Sequence, residues 1–430
     1  MNSDFSLAFA LSLGILIASG FAIYRCFHQN RIFSALGGLH LNIFFMYGFG
    51  TTCYILQPLQ TERLSHEMVI QQIARNGIPI LIGYLVWLIV ESQILTKRNF
   101  DLRSVALRSQ PSNLILFFVM ALIGYLGAQD EISESGIGTI FAVMKNITYP
   151  CLVVAILKID FQKDGLQTGL NVAVILSLLL FSFYSPWRSE LILSMTYMLL
   201  AFVYRYPNRL VPIGFATIAA MIFIFPFIQF KKANYEQFQS DPIGSFIDSQ
   251  AISPNDRLEM TTLFAAERLN SMREISYITN AIEQRIIGYK FGETIIESIT
   301  QLVPRALWPD KPSFNTIYNR LLSREIGLVG KEDQGTSWGV NFIAEFAYNF
   351  DVWFYVLYIP IVFAIFHGFD CLGRWLCKRP ETSLFLPLTL FCIGFNGYSM
   401  SMLSTYIVWT FVVYKSADVL FSSLATQTDD

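Results

Sequence analysis

The chain has 430 residues, of which 53% are hydrophobic and only 14% charged, and its formal net charge is −2. That balance excludes an ordinary soluble domain, and the near-neutral charge leaves no footprint for nucleic acid. The mean hydropathy of +0.47 is diluted by one polar excursion, Lys231 to Asn349. Outside it the chain repeats apolar runs of about 17–22 residues, the length a bilayer core demands. The class expected is an all-α polytopic membrane protein.

Eleven spans are expected, at 5–24, 35–56, 76–96, 112–128, 137–157, 167–184, 189–204, 210–229, 352–369, 383–398 and 402–421. Each should be helical, because backbone polar groups at membrane depth must be satisfied within their own segment. Met1 to Asp4 lacks the basic region of a cleavable signal, so the first run is expected to remain as a membrane helix. Orientation follows from basic residues in the short connections. One side carries thirteen: Arg25, Arg31, Lys97, Arg98, Arg103, Arg108, Lys158, Lys163, Arg205, Arg209, Arg374, Lys378 and Arg379. The other carries three: Arg63, Arg75 and Arg188. The first side is therefore expected in the cytoplasm, with the N-terminus and the 230–350 excursion outside and the C-terminus inside. Residues 1–229 and 351–430 then form the transmembrane bundle, and 230–350 one large extracytoplasmic loop domain.

Cys26, Cys53, Cys151, Cys371, Cys377 and Cys392 all lie in or beside apolar runs, so no disulfide framework is expected in the loop, and no CxxC pair suggests zinc. The histidines are His28, His40, His66 and His367; none falls in the loop, and His40 and His367 are read as polar helix-packing groups. After the fourth span comes Gln129-Asp130-Glu131-Ile132-Ser133-Glu134. This acidic group is either a divalent-ion site or, the plainer reading, a solvated turn.

Two basic residues stand in apolar surroundings. Lys145 lies within the fifth span, where an ionisable side chain is costly and hence a functional candidate; the alternative is that it snorkels to the interface. Arg188 opens the seventh span beside Glu190. A guanidinium there can hold phosphate oxygens bidentately, and the helix N-terminus favours an anion. The alternative is an interfacial anchor paired with Glu190 or solvated.

An excursion of about 120 residues is too long for a mere connection. Within it, Asn255 to Gln284 has few breakers and apolar residues at helical spacing: Leu258, Leu263, Leu269, Ile275 and Ile278. One helix is expected there, on the membrane surface or over a cavity, with Asp256 placed to cap it. A shorter helix is expected over Thr294 to Leu302. Then Pro304-Arg305-Ala306-Leu307-Trp308-Pro309-Asp310-Lys311-Pro312 packs three prolines into nine residues, which rules out a continuous helix. This rigid segment presents Arg305, Asp310 and Lys311, and its two cations suit an anionic group such as a phosphate.

Pro304, Arg305, Trp308, Pro309, Lys311 and Pro312, followed by Glu345, Asn349 and Phe350, resemble the bacterial O-antigen polymerases, the Wzy-type oligosaccharide repeat-unit polymerases. Several of these carry a PR-x-x-W-P-x-K-P segment in a large external loop and a Glu-x-x-x-Asn-Phe-Gly run entering the next membrane helix. The chain departs at Asp351, where the pattern has glycine.

The resemblance implies a GT-C-like fold in the inner membrane. It implies a donor glycan on undecaprenyl pyrophosphate, and a second lipid-linked repeat unit as acceptor. The glycosyl transfer would invert the anomeric centre and need no metal or nucleotide cofactor. A chain-length regulator and a flippase are the further partners implied. Arg188, Arg305, Lys311 and Lys145 are then expected to bind the lipid pyrophosphate. Arg305 also counts among the catalytic residues, with Glu345 as general base and Asp310 as its rival. The alternatives are an O-antigen ligase, a metal-dependent GT-C transferase and a lipid-linked oligosaccharide flippase. The related ligases use a loop histidine that this chain lacks.

Overall fold

The computed structural model describes residues 3–57, 64–94, 106, 111–127, 138–160, 165–185, 188–209, 212, 219–220, 222–224, 226–228, 230–231, 234–300, 303, 308, 324–327, 340–376, 380–396 and 400–426. Helix dominates and no strand occurs among the described residues. Among the described residues six helical runs are long and apolar enough to cross a membrane. The protein is an all-α, multi-pass membrane protein.

In chain order α1 is Ser3–His28, α2 Ala35–Asn42, α3 Gly50–Leu56, α4 His66–Ile94, α5 Pro111–Gly127, α6 Gly138–Asn146, α7 Thr148–Lys158, α8 Gly165–Tyr184 and α9 Arg188–Arg205. A helical stretch described in part between residues 219 and 231 follows. The excursion contributes α10 Tyr235–Ser240, α11 Pro242–Gln250, α12 Pro254–Arg268, α13 Ser271–Glu283, α14 Glu293–Thr300 and α15 Phe342–Asn349. The chain closes with α16 Tyr355–Leu376, α17 Pro380–Asn396 and α18 Met400–Thr426. Helix falls on the expected apolar runs wherever residues are described, but two runs are not continuous. Ile43–Phe49 is π-helical between α2 and α3, and Ile147 separates α6 from α7. A π segment inside a helix is rare and is found most often at functional sites.

Polar contacts sort the helix ends into two sets. At the end carrying the excursion (the loop end), Gln72 and Asn76 of α4 meet Thr279 of α13 at 3.1 Å each, and Ser404 of α18 donates to the Ser298 carbonyl of α14 at 3.1 Å. At the opposite end Arg25 of α1 pairs with Glu91 of α4 at 2.8 Å. There Asp370 of α16 accepts the Ala35 and Leu36 amides at 2.9 and 3.5 Å. That carboxylate, with Ser34, satisfies the amides that open α2.

Between lipid-facing helices the hydrophobic effect supplies little drive, so close packing must supply it. α2 and α17 approach so closely at Gly38 that a Cβ there would overlap the Phe391 carbonyl, and Gly394 faces the Ala35 carbonyl in return. α7 is buried along its whole length, as expected of a helix that is apolar all round.

The expected single helix over 255–284 is two helices. Asn270 ends the continuity: its side chain accepts the Arg273 amide at 3.1 Å and the Thr51 hydroxyl of α3 at 3.0 Å, starting α13 afresh. Ser253, rather than Asp256, caps α12. Nor does α13 lie on a surface, for Ser271 to Ala281 are all buried, packed on α4 and α15. Its polar face fits there because α4 presents Gln72, Asn76 and Arg75 to it, the last in an ion pair with Glu283.

α15 is likewise buried throughout. Asn349 ties it to the chain before α14, accepting the Gly292 amide at 3.1 Å and donating to the Thr294 hydroxyl at 2.7 Å. Gly292 sits at φ +89°, a left-handed conformation suited to glycine. Asp351, the departure from the family pattern, takes an ordinary φ of −58° and accepts the Trp353 amide at 3.0 Å, opening the next helix without strain. Asn349→Leu should strand two buried groups, at about 1–3 kcal/mol each. Thermal unfolding in detergent should show a clearly lowered Tm, and an unchanged Tm would remove this role.

Candidate functional site

The loop end of α9 gathers charge inside apolar surroundings. Arg188 opens the helix; its side chain lies outside the described residues. Glu190, in the first turn, is 4% exposed and forms an ion pair with Lys145 at the end of α6. The Lys145 ammonium also stands 5.1 Å over the Tyr125 ring of α5. Lys145 therefore does not stand alone. It neutralises a buried carboxylate three helices deep in the chain, and Glu190 answers to Lys145.

A third cation, Lys231, joins them. It lies just beyond the last apolar run before the excursion and donates to the Phe183 and Ser185 carbonyls at 2.7 and 2.5 Å, which closes the C-terminus of α8. It also covers the Phe238 ring at 4.3 Å. Among the described residues these two carbonyls are its hydrogen-bond acceptors, and an ammonium carries three donors. Burial pushes the Lys231 ammonium down from 10.5 to about 8, and the nearby Glu190 carboxylate opposes that fall. No motif marks Lys231 in the sequence, where it is the first lysine of a Lys231-Lys232 pair at a boundary.

Among the described side chains two lysines face one carboxylate at this end of α9, a balance that favours an anion, and the N-terminal helix dipole adds to it. Just below lies an apolar groove of about 310 Å³ between α8, α9, the 219–231 stretch and α11. Leu176 and Leu180 line it and are more than half exposed, so it opens on the flank of the bundle.

Glu345 is placed elsewhere. It is 5% exposed on α15, among Thr294, Phe342, Phe346, Asn349 and Tyr358, with no room for a water-sized group. No contact joins it to the Lys145–Glu190 pair among the described residues. The loop end of α18 lies against both neighbourhoods, touching α6 on one side and α14 and α15 on the other, with its Tyr406 in electrostatic reach of Glu190. Arg305, Asp310 and Lys311 lie outside the described residues, as does the acidic group at 129–134.

A second charged group sits at the opposite end. His40 Nδ1 is 2.7 Å from the Tyr84 hydroxyl and its Nε2 is 3.2 Å from the Glu91 carboxylate that Arg25 holds. With Cys26, His40 and Glu91 bring three metal-ligand atoms within 4.8 Å of one another. The Arg25 guanidinium already neutralises Glu91, so the arrangement is a charge-balanced clasp of α1, α2 and α4. His40 joins α2 to Tyr84 and Glu91 of α4 in that clasp.

No family model, curated protein or solved structure matches the chain.

Proposed function

We propose that this chain polymerises lipid-pyrophosphate-linked oligosaccharide repeat units into a surface polysaccharide on the outer face of a bacterial inner membrane. One observation carries the reading: the Lys145–Glu190 pair and Lys231 gather at a helix N-terminus beside an apolar groove open on the bundle flank. An amphiphile with an anionic headgroup satisfies both parts at once, whereas a soluble substrate would use only the first. The Pro304–Phe350 resemblance supplies the reaction. The full proposal comprises eleven spans, a GT-C-like bundle, and an external N-terminus and excursion.

The acceptor hydroxyl would attack the anomeric carbon of the donor glycan. The new glycosidic C–O bond forms as the bond to the pyrophosphate oxygen breaks, with inversion, and the acceptor proton passes to a base. Because the leaving group is already activated, the protein must chiefly position two lipids and stabilise the departing charge. Arg188, Lys145 and Lys231 serve the pyrophosphate from the bundle, and Arg305 and Lys311 from the excursion. Glu345 is the base, with Asp310 its rival, and opening of the α14–α15 contact would be needed to admit the sugar.

The test is purified protein in liposomes with lipid-linked repeat units, read as a glycan ladder and released lipid pyrophosphate. Free-enzyme kcat/KM should fall as pH rises through about 8, because Lys231 then loses its charge. Lys231→Arg should move that fall to higher pH, since a guanidinium stays charged. The stability term has the opposite sign. The unfolded chain holds more protons between about 8 and 10.5, so the Lys231 contribution favours the fold increasingly across that window. A pH profile identical in the wild type and Lys231→Arg would remove Lys231 from the site.

A further inference from the structure

We infer that the groove beneath Lys231 seats the lipid chain of the substrate, holding the isoprenoid units nearest the pyrophosphate. Lipid identity rests on the polymerase reading; the groove and its rim do not.

The groove is lined by Leu176, Leu179, Leu180 and Phe183 of α8, Leu191 and Met195 of α9, Ile224 and Phe227 of the 219–231 stretch, and Phe246 of α11. None of these side chains is polar. The chain direction orients it. α8 climbs toward the loop end from Leu176 to Phe183, while α9 descends from Leu191 to Met195. The groove therefore runs about 10 Å along the bundle at 1.5 Å per residue. At about 310 Å³ it sits at the small end of ligand sites, a size suited to a stretch of one hydrocarbon chain.

Its loop end is basic. Phe183, which lines the groove, gives its carbonyl to Lys231, and its ring stacks on Phe227 at 5.0 Å, one turn before that lysine. Lower on the same stretch, Arg257 of α12 lies over the Phe223 ring at 5.1 Å, its guanidinium held by the Ile252 and Gln250 carbonyls. The nearest acids are engaged: Glu190 with Lys145, Asp241 as the cap of α11, and Asp248 with Gln237. An apolar channel ending at a buried lysine matches a single hydrocarbon chain ending in phosphate.

α11 supplies the cover. Ile243, Phe246 and Ile247 are exposed while Ser245 and Ser249 are buried, so this helix turns its apolar face outward, as a helix resting in a membrane interface does. Phe246 reaches from it into the groove and packs on Phe227 at 5.2 Å. A bound chain would slide beneath that ring.

The test uses full-length protein in phosphatidylglycerol-containing liposomes with a photoactivatable farnesyl-length pyrophosphate, and maps the labelled peptides. Label should concentrate on α8, α9 and the 219–231 stretch and be displaced by undecaprenyl pyrophosphate, not by added phosphatidylglycerol. Leu180→Trp fills the groove from an exposed position and should cut labelling at least tenfold. Leu166→Trp, on the same helix and 88% exposed, should leave it unchanged. Label spread evenly over the lipid-facing helices, or displaced equally by phosphatidylglycerol, would overturn the inference. Labelling is read without polymer formation, so the two readings fail separately. Polymer made with label elsewhere refutes only the groove, and groove label without polymer refutes only the polymerase.

Discussion

Replacing Lys145 with methionine should unfold or misassemble the loop end of the bundle, whereas Lys145→Met with Glu190→Gln should fold and remain inactive. The single change strands the Glu190 carboxylate, 5% exposed in its side chain, without its counter-ion. Removing one partner of a buried pair costs about 3–5 kcal/mol, a large part of a typical folding free energy. Neutralising both removes the stranded charge and restores a near-isosteric contact. The double variant should therefore elute from size exclusion in detergent as the wild type does, yet yield no polymer, because a cation proposed to serve the pyrophosphate is gone. A double variant that folds and makes full-length polymer would reduce the pair to structure alone.

Arg188→Ala and Arg305→Ala should each abolish polymer while the protein remains in the membrane. Arg188 opens α9, two residues before Glu190, and in the proposed reaction its guanidinium would meet the departing pyrophosphate. Loss of one preorganised electrostatic contact to a developing anion typically lowers kcat by about 10²–10³-fold. Because polymer length compounds many transfers, such a drop removes the ladder. Arg305 would act from the excursion, and its loss should mimic that of Arg188. Polymer of normal length from both variants, at normal protein level, would take these residues out of the reaction.

The apolar runs made the helices legible. A span must carry its own hydrophobic length, and that information is local. Lys145 was likewise visible, since a lysine in an apolar run has few innocent explanations. Its partner was not, because Glu190 lies on another helix, and only the fold brings the two together. Lys231 was hidden for a related reason. Its role is to close a helix that ends 46 residues earlier at Ser185, and no motif records that contact. α13 misled by its amphipathic pattern. Its polar face suggested water, but Gln72, Arg75 and Asn76 of α4 replace water there. The Arg25–Glu91–His40 clasp joins three helices and has no signature in any one of them.

The most direct test of the central claim is the surface and lipid-linked glycan of a strain lacking this gene, resolved by size. The account predicts single repeat units still reaching the surface acceptor with the ladder gone, and restoration by the wild-type gene but not by Arg188→Ala. Full-length polymer stranded on the lipid carrier, or repeat units trapped on the cytoplasmic face, would contradict it and assign the chain to ligation or to transport.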